Sequence, residues 1–400
     1  MKVLYLAPLV PSASGNGGKR AVYNHLEDLA RTTTDVDLMV VDVEGSGETL
    51  PAAFACFRGR VFRRALPLGA SAKGLVAALC QLLFDPRPRA AAVVASSEAR
   101  RAVREMLRDG RHDVVVVDHL NAWSLLDGVA TDVPIQYIAH NVESDVLRDQ
   151  RTHDGRSFLS GMRLSVELAK MVRFESALLR RATTVTAIAS TDCASALMRA
   201  VRAKTAVWPE LPDVRVQGWR PPGSRTLLFV GSAAYFPNRD AIEWLVTQFM
   251  PAVNRLVPDV VLRIAGTARA ELADLAVPAS VVFEGFVSAA RLDELHRTCD
   301  LFVCPVVLGS GIKIKVLEAS AYGLPIAATR ESLGGIDYLR DAALVIGRDG
   351  AAAACAVIDL LGDVERLAAA SAQATAQLVR ARGARAPLLA PAAAAAEGAA

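Results

Sequence analysis

Between Val303 and Thr329 the chain reads Val-Cys-Pro-Val-Val-Leu-Gly-Ser-Gly-Ile-Lys-Ile-Lys-Val-Leu-Glu-Ala-Ser-Ala-Tyr-Gly-Leu-Pro-Ile-Ala-Ala-Thr. A strand is expected to end at Pro305, and a loop to carry Gly309-Ser310-Gly311. A helix should then begin near Ile312 and stop at Gly323, a C′ glycine followed by Pro325. Glycines let backbone amides approach a phosphate closely, and a helix N-terminus adds positive partial charge. Lys313 and Lys315 would fall in the first turn, where cations oppose the helix dipole unless an anion neutralises them. A diphosphate is such an anion. Glu318, further along, could accept both hydroxyls of a ribose. The rival reading is that the lysines merely cap a loop and that Glu318 pairs with one of them, since a phosphate loop without a full fingerprint is weak evidence.

Other residues invite chemistry less strongly. Gly15-Asn16-Gly17-Gly18 follows the first strand and opens a helix, but completes no dinucleotide fingerprint, and a plain turn reads as well. His140, in Ile-Ala-His-Asn-Val-Glu, ends an apolar strand; such a histidine is often only a satisfied hydrogen-bonding group. His119, in Val-Val-Asp-His-Leu, is a second candidate, and Glu143 could orient one of the two. Asp35-Val36-Asp37 is rejected as a metal motif, because it lies within a strand rather than at a strand end and reads as a solvated edge. No metal ligands are assigned. Arg58, Arg60, Arg63 and Arg64 alternate with Phe57, Val61 and Phe62 and run into Leu75–Phe84. This reads as an internally packed amphipathic helix with solvated charge, or as a surface for anionic lipid headgroups.

These residues must be carried by a scaffold, and two segments share one grammar: β-branched strand, glycine-containing loop, amphipathic helix. The first is Val3–Ala7, Ser12–Gly18 and a helix from about Lys19 to Arg31; the second is Thr226–Val230, Gly231–Asn238 and a helix from about Arg239 to Leu256. Further strands are expected near Val36–Val43, Val114–Asp118, Ile135–His140 and Thr184–Ala189. The second half should add Val260–Ala265, Val281–Glu284, Leu301–Pro305, Pro325–Ala328 and Ala343–Ile346. Short apolar strands alternating with helices predict an α/β chain with two parallel sheets. The expected domains are residues 1–207, a proline-rich linker over 208–224, and residues 225–362. Phe158–Arg181 reads as a core-packing helix with Leu164, Leu168, Met171, Val172, Leu178 and Leu179 on its apolar face. Residues 363–400 read as a C-terminal helix and an alanine-rich tail with little to bury and no fixed structure.

Composition excludes several classes. Of 400 residues, 52% are hydrophobic and 22% charged, which fits a globular rather than a disordered chain. A formal net charge of +3, with both signs interleaved, gives no footprint for nucleic acid. Six scattered cysteines form no CxxC pair, so a reduced, cytoplasmic setting is expected. Pro8 and Pro11 interrupt the N-terminal apolar run and argue against a signal peptide. No stretch offers the roughly 18 apolar residues of a membrane span, although peripheral contact with the inner face of the cytoplasmic membrane stays open.

The segment resembles the signature of glycosyltransferase family 4, whose members have the GT-B fold. Phe283–Gly285, Asp300–Pro305, Glu318-Ala319, Gly323–Pro325 and Gly334-Gly335 stand in that family's order. Phe229–Ser232 and Pro237-Asn238 are similar to a subset that includes sugar transferases of bacterial exopolysaccharide pathways. The resemblance implies two Rossmann-like, doubly wound domains facing an interdomain cleft. It implies retaining transfer from a nucleoside-diphosphate sugar to a saccharide or lipid-linked acceptor, with no metal and no cofactor. It places the ribose at Glu318 and puts Ser310 where the family has its first signature glutamate, a role that the Gly309–Gly311 amides and the Ser310 hydroxyl could replace. The family's arginine and lysine after the first donor-domain strand fall at Ser232 and near Asn238, so the diphosphate charge is expected at Lys313, with Lys315 or Arg239 in support.

The same resemblance sets the nucleobase against Gly285–Ser288, with Phe286 or Val287 in contact. Gly231 and Ile312 join the donor loops. Arg263 reads equally as a donor contact or a solvent-facing strand charge. Gly17 and Gly18 would face the donor phosphate, and His140 the donor sugar or acceptor. Rival readings are an epimerase or phosphorylase on the same fold, or a sugar-nucleotide-binding partner without turnover.

Overall fold

The computed structural model describes residues 1–12, 17–43, 47–63, 80–153, 158–209, 211–212, 219, 221–309, 311–385 and 388–389. It divides into two compact units, one built on residues 1–209 and one on residues 210–385. Both are α/β.

The first unit holds a parallel sheet in the order β3-β2-β1-β4-β5-β6-β7. Its strands are β1 Val3–Ala7, β2 Val36–Asp42, β3 Arg58–Arg63, β4 Val114–Asp118, β5 Ile135–Ala139, β6 Thr184–Ala187 and β7 Thr205–Val207. All five residues of β1 are buried, as a strand covered on both faces requires. The order reverses direction between β1 and β4, and the helix Gly17–Ala30 follows β1. The long helix Phe158–Arg181 buries Leu164, Met171, Phe174, Leu178 and Leu179, whereas Leu168 and Val172 stay half-buried.

In the second unit the order is β10-β9-β8-β11-β12-β13. The strands are β8 Thr226–Val230, β9 Val261–Ala265, β10 Val281–Gly285, β11 Leu301–Cys304, β12 Ile326–Ala328 and β13 Leu344–Val345. Leu227, Phe229, Phe249, Leu262, Ile264 and Phe302 are sealed from solvent. Here the helix after β8 starts at Phe236, three residues before the expected Arg239, and runs to Leu256 through a widened π turn over Leu245–Phe249. Pro251 lies just beyond that turn. A proline lacks the N–H that an α-helical interior needs, and a π turn is a known way to absorb the mismatch.

Three expectations need correction. Arg58–Arg63 forms the edge strand β3 and not a helix; its residue-by-residue alternation is the period of a strand. Arg64 and residues 65–79 of the expected amphipathic stretch lie outside the described residues. The chain after Gly362 does have something to bury: Val364–Ala384 is helical, and its Leu378 packs with Leu211 and Ala321 in the second unit. Past that helix, Leu388 donates its backbone N–H to Asp28 and accepts from Gln136 in the first unit. The alanine-rich end beyond residue 389 lies outside the described residues. No described helix is long and apolar enough to cross a membrane.

The third correction concerns Asp37. Asp35 is exposed, but Asp37 is buried and accepts from Arg58 Nε at 2.6 Å and His112 Nε2 at 2.7 Å, with Lys2 Nζ 3.4 Å away. Burial would raise its carboxyl, yet the hydrogen bonds of Arg58 and His112, with the charges of Arg58 and Lys2, hold it below the usual range. The network ties Arg58 of β3 and His112 to Asp37 of β2. A carboxylate with a depressed folded pKa contributes stability above its unfolded value, and loses it as pH falls through the folded one. Asp37→Ala is therefore expected to lower the unfolding free energy at pH 7 by about 2 kcal/mol, with a smaller difference near pH 3. Urea titration at the two pH values reads it, and equal midpoints at pH 7 would contradict the assignment.

Candidate active site

The strand order of the second unit's all-parallel sheet reverses between β8 and β11, and open α/β sheets bind ligands beyond the carboxyl ends of the strands at such a point. Two loops leave that point. One runs from Gly231 into the helix Phe236–Leu256, and the other from Pro305 into the helix Ile314–Ala321.

Lys315, second residue of its helix, bridges the two. Its ammonium donates to Asn238 Oδ1 across the switch point and lies 4.5 Å from the centre of the Phe229 ring. Glycine at 231 makes room for this: a Cβ there would stand 2.8 Å from Lys315 Nζ and from the Asn238 side chain. Gly266 approaches from β9 with φ +92, and its Cβ would come 3.1 Å from the Gly231 carbonyl. Thr267 Oγ1 ties the turn together, donating to Gly231 O at 2.7 Å and accepting from Ala233 N at 2.9 Å. Burial pulls the half-buried Lys315 down to about 8, with the nearby Lys313 adding to the shift and Cys304 and Glu318 opposing it. A lysine taken that far from its usual range is under-neutralised.

Lys313 behaves differently. It is the N-cap, not a first-turn residue, and its ammonium curls back to the carbonyls of Gly309 at 2.8 Å and Gly311 at 3.1 Å. Both glycines have φ near +80, a conformation that favours glycine, so Lys313 latches a loop only glycines form readily. Tyr235 and Pro237 pack within 3.3 Å of where a Gly309 Cβ would be. Ile312 is buried beneath the loop. Ser310 lies outside the described residues.

Glu318 is buried one turn beyond Lys315 and acts on it electrostatically, so part of the rival reading holds. Arg239 is engaged by Glu243 at 2.8 Å and Asp274 at 3.5 Å. Arg263 is ion-paired with Glu284, which Arg291 also holds at 3.0 Å, and that pairing explains its charge without a ligand. The two arginines outweigh burial and keep the Glu284 carboxyl low. Phe286 follows Gly285 at the end of β10 and is 78% exposed, with Val287 half-buried beside it. A phenyl ring left in water at a strand end is available for stacking.

In the first unit, Gly17 and Gly18 open the helix that follows β1; Gly15 and Asn16 lie outside the described residues. Lys19 is buried there against Glu48 at 2.9 Å. Close to this helix lies a cluster that the sequence only half revealed. Asp118, wholly buried at the end of β4, accepts from the Tyr5 hydroxyl, from His25 Nδ1 at 3.1 Å and from His140 Nε2 at 2.5 Å. Burial alone would raise this carboxyl, but the two imidazoles hold it well below the usual range. His119 stacks on His140 with ring centres 3.4 Å apart, bonds the Gly18 backbone and has φ +66. Burial first, then the neighbouring imidazoles, keep it neutral down to about 3.

Strand register explains the meeting. Tyr5 lies opposite Val116 and Asp118 opposite Ile138, so Tyr5, Asp118 and His140 share one face. Of these residues the sequence alone marks His119 and His140. Glu143, expected to orient one of them, instead accepts from Asn141 at 3.2 Å. His25, Asp118 and His140 also lie close enough to ligate a metal together. As they stand, three donors satisfy the carboxylate without one.

Comparison with known proteins bears on the second unit most directly. Residues 224–363 match the family described as "Glycosyl transferases group 1". A GDP-mannose-dependent α-(1-6)-phosphatidylinositol monomannoside mannosyltransferase of Mycolicibacterium smegmatis is 34% identical over 140 residues, 31% of this chain and 36% of that one. An uncharacterised glycosyltransferase of Methanocaldococcus jannaschii is 33% identical over 116 residues, 28% of each chain. The match thus spans about a third of these relatives' length. Among solved structures, sucrose-phosphate synthase of Thermosynechococcus elongatus superposes with a TM-score of 0.67 at 16% identity, over 95% of this chain and 94% of its own. Anabaena HepE in complex with UDP gives 0.57 at 14% identity, over 100% and 98%. The chain therefore has the two-domain GT-B fold of these structures, and residues 224–363 of its second unit are similar to the glycosyl transferases group 1 family.

Proposed function

We propose that the chain is a glycosyltransferase that takes a sugar from a nucleoside diphosphate and passes it, with retention and without a metal, to a hydroxyl of a saccharide or lipid-linked saccharide. Polysaccharide or glycoconjugate assembly is the setting we infer. The observation that carries this reading is the Lys315 ammonium, held between the ends of β8 and β11 beside a glycine backbone. Relatives that use GDP-mannose or bind UDP support a nucleotide-sugar donor without choosing its base.

In this reading the diphosphate displaces Asn238 from Lys315. The charge that must leave with the nucleoside diphosphate then meets a fixed cation and the start of a helix, both oriented before the reaction begins. Glu318 holds the ribose hydroxyls, and Phe286 stacks on the base. Lys313 acts through the loop it latches, with Ser310 offering a hydroxyl to the sugar. His140 contacts a hydroxyl of the donor sugar or of the acceptor. None of these groups is a convincing nucleophile. The acceptor hydroxyl attacks on the face from which the diphosphate departs, and a diphosphate oxygen takes its proton.

Two outcomes follow for the cations. Lys315→Met should weaken nucleoside-diphosphate binding about 10- to 100-fold, the value of a charge-assisted contact, while Arg263→Met should leave it within about threefold. Calorimetry on both variants checks this, and the reverse ranking would move the site toward Arg263.

The pH dependence has a defined sign. An anion favours the charged lysine, so binding raises a pKa that stands at about 8 in the free protein. Affinity for a nucleotide-sugar should be level near pH 7 and fall up to about tenfold per pH unit above 8. Proton uptake should accompany binding, and Lys315→Met should abolish both effects. A level profile in the unaltered protein would show that the diphosphate does not meet Lys315.

A further inference from the structure

We propose that Asp118 is a positioning residue for His140: it fixes an imidazole proton on Nε2 and leaves Nδ1 as the ring nitrogen that faces a sugar hydroxyl. This rests on the reading that His140 touches a sugar hydroxyl, and it adds the residue that makes that contact one-directional. Neither the strand order nor the local sequence of His140 singles out Asp118; the three-donor geometry does.

An ionised carboxylate only accepts hydrogen bonds. Asp118 receives three: the Tyr5 hydroxyl and His25 Nδ1 on one oxygen, and His140 Nε2 at 2.5 Å on the other. Each of those atoms must therefore carry its proton toward Asp118. A buried carboxylate surrounded in this way is satisfied on both oxygens and has no freedom to swing, because β4, β1 and the helix Gly17–Ala30 each hold one end of the arrangement. His140 is also restrained in its plane. His119 lies flat against one face at 3.4 Å, and His25 approaches tilted at 5.2 Å. Trp208 closes the far side of His25 in an edge contact at 5.2 Å. The ring can neither flip nor rotate without breaking the bond to Asp118.

The chemical consequence concerns what His140 can recognise. Whenever the ring carries a single proton, that proton faces Asp118, and Nδ1 then accepts from a hydroxyl and offers nothing to a phosphate oxygen. The same logic operates where a buried aspartate sets the tautomer of a catalytic histidine, and an amide in its place leaves the shape but loses the direction.

The first measurement needs no variant and no substrate. Selective 15N-histidine labelling of the whole ligand-free chain should show His140 with a protonated Nε2, a bare Nδ1 and a slowly exchanging Nε2–H. In Asp118→Asn that proton should exchange rapidly, or the tautomer should reverse. The second measurement is kinetic. Asp118→Asn and His140→Ala should each lower kcat about 10- to 100-fold, and the double variant should lose no more than His140→Ala alone, since Asp118 acts only through that ring. His25→Phe, which removes a different donor from the same carboxylate, should retain the His140 Nε2–H signal. A proton found on Nδ1 overturns the proposal. So do additive kinetic losses, and so does a metal recovered stoichiometrically on His25, Asp118 and His140. If no transfer is detected at all, the glycosyltransferase reading fails, and the labelling result still decides the role of Asp118.

Discussion

An ammonium group next to bare backbone, with a weak partner and no carboxylate bonded to it, is the interaction from which the second unit takes its meaning. Lys315 is held by an amide oxygen, a phenyl face and the field of Glu318, a combination that orients the cation without neutralising it. Much around it serves this placement. Gly231 and Gly266 remove the Cβ atoms that would push the two strand ends apart, Thr267 staples the turn, and the helix Ile314–Ala321 directs its start toward the same place. A cation opposed by a helix dipole and partly withdrawn from water is destabilising on its own.

The first unit applies the opposite strategy at the equivalent point of its own sheet. There the charge is negative, fully buried and heavily bonded, and it is shared among Tyr5, His25 and His140. One edge carries a half-buried cation. The other uses a buried carboxylate to hold two imidazoles and a phenol in a set orientation. Each unit is built on a parallel sheet with its own reversal of strand order, and each places its charged group at that reversal.

How much of this was readable in the linear chain depended on range. Apart from β3 and the short, partly exposed β7, the strands of both sheets were legible because buried parallel strands are continuous apolar runs, and Gly323 before Pro325 announced a helix end that the structure shows with φ +70. The edge strand β3 was not legible as such, because its arginines face solvent and disguise a period of two as a basic helix. Leu378 escaped notice because isolated leucines in an alanine-rich helix give a weak periodic signal. Within the site, the lysine pair could be found from spacing, but not which member reaches across. That depends on Lys313 curling to its own loop carbonyls, a contact set by two glycine dihedrals. Asp118 was missed for a related reason. Its partners come from β1, β5 and a helix 93 residues away, and only the register Asp118 to Ile138 places His140 above it.

The most direct test of the central claim is a crystal structure of the chain with a nucleoside diphosphate bound. The account predicts that the Lys315 ammonium leaves Asn238 and lies within hydrogen-bond distance of a diphosphate oxygen, at the ends of β8 and β11. A diphosphate seated elsewhere, with Lys315 still on Asn238, would contradict it.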